Sequence, residues 1–158
     1  MRTLRPGRSA IRIEQLQEAS LFSNCTKDEL RAIASLTTTK DVEPGTVLAE
    51  QGKVGREFFI VSNGSATASR NGEWLARLGP GSFFGELALL DGGYRTATVQ
   101  AETEMTVLVL SRSEFKNLQF SAPSVAYKML VELGGRLRKT LEARDGEATP
   151  SSAEVASL

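Results

Sequence analysis

Ten of the fourteen glycines in this 158-residue chain fall between residues 45 and 93, and they cut that stretch into apolar segments too short for helices. Thr46-Val47-Leu48-Ala49, Phe58-Phe59-Ile60-Val61 and Glu73-Trp74-Leu75-Ala76-Arg77-Leu78 are rich in β-branched, aromatic and aliphatic residues, with Gly, Pro and Asn between them. Glu43-Pro44-Gly45 sets a tight turn with proline at its second corner, and Asn63-Gly64 and Asn71-Gly72 are hairpin signals. Many short strands with regular turns predict an antiparallel sandwich or barrel. A further hairpin is expected from 96–101 and 105–110.

Helical patterns flank this core. Residues 11–19 place Ile13, Leu16 and Ala19 on one face. Thr26 and Glu29 form a capping box, each satisfying an orphan amide of the other, which opens a helix over 27–36 with Leu30 and Ile33 inward. A second box, Ser111 with Glu114, opens a helix to about residue 120. Ala122-Pro123 then restarts one, with Val125, Met129, Leu133, Leu137 and Leu141 as its apolar stripe to about residue 144. Gly134-Gly135 sits inside this last helix at a propensity cost of roughly 2 kcal/mol. Close packing against the roll and a hinge both account for the pair.

Composition narrows the function. With 19 basic and 19 acidic residues the net charge is zero, so no global field draws the chain to nucleic acid or membrane. No apolar run approaches the roughly 20 residues that span a bilayer, and no secretory signal opens the chain. Arg2, Arg5, Arg8 and Arg12 precede the first acid, Glu14, and residues 1–10 form a basic arm carrying the first three, read as a frayed terminus. Residues 145–158 read as a disordered polar tail, leaving 11–144 as one domain. Cys25 is the only cysteine, which excludes an intrachain disulfide and suits a reducing, cytoplasmic compartment. There is no histidine. That removes Ser-His-Asp and Cys-His catalysis and every His-bearing metal site, so neither catalytic residues nor a metal are expected.

The stretch from Phe83 to Thr98 carries the candidate chemistry. It reads as a strand end, a turn at Gly85, a short helix from Glu86, a Gly92-Gly93 break and then Arg95 before a β-branched run. The first amides of a helix lack intrahelical partners and can hold an anion. Gly85 would let backbone approach it closely. Arg95 offers a planar, permanent charge that fits phosphate oxygens. Glu86, acceptor-only when ionised, suits sugar hydroxyls. Taken singly, Arg95 also fits a surface ion pair, and Glu86 also fits an acid complementing a helix dipole.

Phe84-Gly85-Glu86-Leu87-Ala88-Leu89-Leu90 followed by Arg95-Thr96-Ala97-Thr98-Val99 resembles the phosphate-binding cassette of cyclic-nucleotide-binding domains. That family includes regulatory subunits of cyclic-AMP-dependent protein kinase, cyclic-nucleotide-gated channels and catabolite-activator-type regulators. The run from Gln51 through Gly52 and Gly55 to Val61 resembles the family's second glycine signature, and Asn71-Gly72-Glu73-Trp74 a turn of the kinase subunits. The resemblance covers about 13–144. It implies a mainly β fold with flanking helices: an antiparallel, jelly-roll-like β-roll (a double-stranded β-helix) with N-terminal helices and a C-terminal lid helix.

The resemblance also implies a sensor, not an enzyme, whose ligand is cyclic AMP, with cyclic GMP as the alternative. Phe84, Gly85, Glu86, Leu87, Ala88, Arg95, Thr96 and Ala97 would then form the sugar–phosphate pocket, with Glu86 on the ribose 2′-hydroxyl and Arg95 on the phosphate. Arg136, Arg138, Lys139 and Thr140 are the lid or base contacts to choose among. Leu89 and Leu90 are assigned to the core. A hydroxyl at Thr96 occurs in members that read guanine, though a strand start favours threonine anyway. Two positions depart from the pattern: Tyr94 replaces a proline before the arginine, and Arg56 stands where an acid often braces it, with Glu57 next. The chain as given carries no DNA-reading, kinase or pore segment. Output is therefore expected through an effector protein, through self-association along the final helix, or through the rest of a longer protein of which this chain is a piece. A docking scaffold that ignores nucleotide, or a phosphodiesterase-like enzyme, are the rival readings.

Overall fold

The computed structural model describes residues 8–144, with side chains from Ile13 onward. The arm at 1–7 and the tail at 145–158 lie outside the described residues. Helix α1 (Arg8–Glu18) leads through a single 3-10 turn (Ser20–Phe22) into α2 (Lys27–Leu36). α1 therefore begins within the segment read as an arm. The Thr26–Glu29 capping box is present in both directions, with N···O distances of 2.8 and 3.2 Å.

Eight strands follow: β1 (Thr38–Val42), β2 (Val47–Ala49), β3 (Glu57–Asn63), β4 (Ala66–Arg70), β5 (Glu73–Leu78), β6 (Phe83–Phe84), β7 (Thr98–Ala101) and β8 (Met105–Ser111), with α3 (Glu86–Leu90) between β6 and β7. They form two four-stranded antiparallel sheets, ordered β1-β8-β3-β6 and β2-β7-β4-β5. This is the expected β-roll with flanking helices. The hairpins expected at Asn63-Gly64 and from β7 with β8 do not form; β3 and β4, on either side of Asn63-Gly64, lie in different sheets. β7 pairs with β2 and β4, while β8 pairs with β1 and β3, so the chain crosses from one sheet to the other between them. Proximity in sequence suggested pairing; each strand instead has two better-matched neighbours that close the roll.

Strand alternation divides the interior in two. On β3, Phe59 and Val61 point into the roll with Phe84, Val99 and Val107, while Phe58 and Ile60 face the helices and meet Leu16, Phe22, Ile33 and Phe115. β3 is thus buried on both faces, which explains its unbroken apolar run.

α4 (Arg112–Ser121) starts at Ser111, whose hydroxyl accepts from the Glu114 N–H at 3.2 Å, one half of the expected box. α5 (Pro123–Ala143) is a continuous helix through Gly134-Gly135. Val125 and Met129 are buried, but Leu137 and Leu141 are more than half exposed, so the stripe leaves the core partway along. The buried end is fastened to α2. Glu29 accepts from Ser124 Oγ at 2.6 Å and from Lys128 Nζ while still serving its capping box. These bonds, with Lys128 first, hold its carboxyl down to about 2. A side chain added at Gly134 or Gly135 would meet nothing within 4 Å, which removes the packing account of that pair.

Candidate functional site

Gly85 is the pivot between β6 and α3. Its φ of 85° is left-handed, and a Cβ there would lie 2.5 Å from Arg95 Nη1 and 2.7 Å from the Glu57 carbonyl oxygen. Conformation and space both demand glycine.

Arg95 is delivered by backbone pairing rather than by a strand. Its N–H donates to the Lys53 carbonyl at 2.7 Å, and its carbonyl accepts from Gly52 at 2.9 Å. The Gly55 N–H donates to Gly93 at 3.0 Å, and Val54 bridges Tyr94. The side chain then runs under Gly55, where a Cβ would stand 2.4 to 2.7 Å from its Nε, Cζ and Cδ. Nη2 donates to the Glu57 carbonyl at 2.8 Å, and the guanidinium carbon lies 5.8 Å from the centre of the Phe59 ring. Only 8% of Arg95 is exposed, yet its buried Nη1 has no partner. Burial lowers its pKa and the Glu57 charge opposes this. A guanidinium remains charged through such a shift.

Glu86 opens α3 and is fully buried. Oε1 accepts from Arg136 Nη1 at a long 3.4 Å, while Oε2 is buried with no partner. Burial pushes its carboxyl up to about 7, against its own backbone N–H and the nearby Arg136 charge. Arg136 comes from α5. Its Nη2 donates to Ser20 Oγ at 2.7 Å, and its guanidinium lies 4.5 Å from the centre of the Phe83 ring. It therefore joins α5, the cassette and the 3-10 turn.

Between α5 and the cassette is a cavity of about 410 Å³. Leu87, Leu90, Thr96 and Arg70 line it from the roll, and Leu133, Arg136, Leu137 and Thr140 from α5. Arg70 Nε donates to the Thr96 carbonyl at 3.0 Å. The volume is in the roughly 300–1,000 Å³ range of small-molecule sites.

The residues singled out in the sequence separate by placement. Gly85, Glu86, Leu87, Arg95 and Thr96 cluster at the cavity and just beneath it. Phe84 and Ala97 are fully buried; the Phe84 ring stacks on Phe59 at 4.8 Å, so their side chains belong to the roll interior. Ala88 lies within α3, its side chain outside the description. Of the four α5 candidates, Arg136 and Thr140 line the cavity, whereas Arg138 and Lys139 are exposed and do not. At 3.6 residues per turn, 133, 136, 137 and 140 share a face that 138 and 139 cannot join.

Gly55, which the sequence placed only within a glycine signature, does not have a left-handed φ, and its lack of a side chain lets Arg95 pass. Leu90, read as core, is 39% exposed and lines the cavity. Arg70 carried no local signal. The question of what braces Arg95 is answered by the Glu57 backbone carbonyl; its carboxylate makes no ion pair with Arg95. Among the described residues no group of three His, Cys, Asp or Glu converges as for a metal, and no helix is long and apolar enough to cross a membrane.

A β-roll holding a buried, half-satisfied arginine and carboxylate beside a helix-covered cavity has the form of a small-molecule-binding module. The family model for the cyclic nucleotide-binding domain matches residues 39–121, more than half of the chain, and the chain belongs to that family of regulatory domains. It is 36% identical over 105 residues to a cAMP-dependent protein kinase regulatory subunit of Yarrowia lipolytica, covering 65% of this chain and 28% of that protein. It is 35% identical over 127 residues to a cyclic nucleotide-gated potassium channel of Rhizobium etli, covering 80% of this chain and 33% of the channel. The N-terminal domain of a transcriptional regulator from Streptomyces coelicolor superposes with a TM-score of 0.75 at 29% identity, covering 82% and 96% of the two chains. The chain thus spans about a quarter to a third of the curated relatives it matches.

Proposed function

We propose that this chain is a cyclic AMP sensor that performs no chemistry and signals through α5. One observation carries the reading: a buried donor without an acceptor, Arg95 Nη1, and a buried acceptor without a donor, Glu86 Oε2, flank the same short helix. A cyclic nucleotide brings the missing groups together, phosphate oxygens for Arg95 and the ribose 2′-hydroxyl for Glu86. An unpaired buried group costs about 1–3 kcal/mol, so a ligand that pairs both is favoured by the site itself. Amides of the cassette, including those of Leu87, Ala88 and Ala97, complete the phosphate seat. The base lies against Leu87 and Leu90, covered by Leu133, Leu137 and Thr140.

The kinase subunits named above support cyclic AMP. Thr96, whose side chain lines the cavity beside Arg70, supports cyclic GMP as the second reading. Ligand shifts α5 toward the state that encloses the base, because only that state makes the lid contacts. Output passes to an effector protein or a second copy through α5, in a cytoplasmic setting.

Calorimetric titration with cyclic AMP and cyclic GMP tests this. Binding is expected for wild type, lost in Arg95→Ala, weakened in Arg136→Ala and unchanged in Arg138→Ala. Well-folded wild type that binds neither nucleotide would leave the docking-scaffold reading in its place.

A further inference from the structure

Arg56, the residue that departs from its family's pattern, lines a second cavity of about 570 Å³. Arg112 and Lys116 line it from the first two turns of α4, and Ser113 adds a hydroxyl. Residues four apart on a helix share a face, so Arg112 and Lys116 place like charges together at a cost in helix stability. No direct ion pair offsets it. Among the described residues no acid or acceptor pairs with the side chains of Arg56, Arg112 or Lys116, and Arg112 Nε is buried without a partner. Glu57 is the one acid in the lining, against three cations. The backbone is fixed across the cavity, with the Arg112 N–H donating to the Arg56 carbonyl at 2.8 Å. Gly92 closes one wall, and a Cβ there would press on the Arg112 guanidinium at 3.1 Å.

We infer that this cavity is a second anion site, distinct from the cleft beneath α5, that takes a dianionic phosphate group, either free or carried on a side chain. Two arginine forks match phosphate oxygens and Lys116 adds a point charge. The excess of two positive charges in the lining matches a dianion rather than a single carboxylate. The volume holds more than the phosphate, leaving room for the group that carries it. The site does not depend on what fills the cleft beneath α5. Gly92 belongs to the loop that carries Arg95, so the two sites stand back to back.

Amide chemical shifts of 112–116, followed at constant ionic strength, test it with two probes: inorganic phosphate and N-acetyl-O-phosphoserine amide. Amides 93–96, read separately, report phosphate reaching Arg95 instead. We expect saturable shifts at 112–116 in wild type, at least tenfold weaker binding in Arg112→Gln and Lys116→Gln, and no change in Arg138→Gln. Lys116 is an exposed helix residue, so its variant keeps the test valid should Arg112→Gln fold poorly. Comparable affinity for both probes identifies a free phosphate as the source; tenfold tighter phosphoserine identifies a phosphorylated side chain. Shifts that rise linearly without saturation, or that persist unchanged in Lys116→Gln, overturn the site.

Discussion

Replacing Gly55 by alanine adds one methyl group at the point where the Arg95 side chain passes. The new Cβ would stand 2.4 Å from Nε, so the guanidinium must withdraw by about 1 Å to reach ordinary contact. It has little room to do so, because Nη2 is held at 2.8 Å by the Glu57 carbonyl and the group sits against Phe59. Loss of a hydrogen bond to a charged group costs about 1.5–3 kcal/mol. Overpacking of this kind costs about 1–3 kcal/mol in stability. If the same displacement takes Nη1 from the phosphate, affinity for cyclic AMP falls by roughly ten- to a hundredfold, at about 1.4 kcal/mol per decade. Calorimetry and thermal unfolding measure the two effects. Gly72→Ala is the matched control: its φ of 79° also strains an alanine, but nothing lies within 4 Å of the added carbon. That variant should lose stability and keep its affinity. Gly55→Ala that binds cyclic AMP within twofold of wild type would refute the account of how Arg95 is held.

Two further outcomes are expected. The Glu86 carboxyl titrates near 7 when folded against an ordinary 4.5, so the native state holds its proton more tightly. Its contribution is complete below pH ~4.5 and declines as pH rises toward 7, by about 3 kcal/mol in all. Urea midpoints across that window should show the decline in wild type and its loss in Glu86→Gln; parallel profiles for the two would contradict it. Gly134→Ala and Gly135→Ala each meet open space and should raise helix stability by about 1 kcal/mol, read as a rise in melting temperature. A fall would mean that the backbone there needs a conformation alanine resists.

The elements were legible because their signals are local. Thr26 with Glu29 fixes a helix start within four residues, and Asn71-Gly72 joins β4 to β5 without reference to the rest of the chain. The cassette was legible because its glycine, acid and arginine lie within eleven residues. What escaped was set by long-range contact. Gly55 looks like any loop glycine until a side chain forty residues later runs beneath it. Arg70 reaches the cavity only because β4 lies beside β7. The face of α5 that meets the cavity depends on how Glu29 and the buried Val125–Met129 end orient the helix, which an apolar stripe running its whole length cannot reveal.

Under the proposed signalling through α5, its fastening at one end would make the helix a lever. Its first turns are clamped by Glu29, and its last eight residues, 136–143, lie beyond the Gly134-Gly135 pair. At about 1.5 Å per residue that outer arm is roughly 12 Å long, so a tilt of about 20° at the pair sweeps its tip by about 4 Å. The inner mount need not move at all. The long 3.4 Å contact of Arg136 with Glu86 sits at the very start of the arm, where small displacements have the greatest angular reach. If occupancy of the cleft tilts α5 at the pair, as the proposed signalling requires, a surface built on its last two turns would register a displacement larger than the one that caused it.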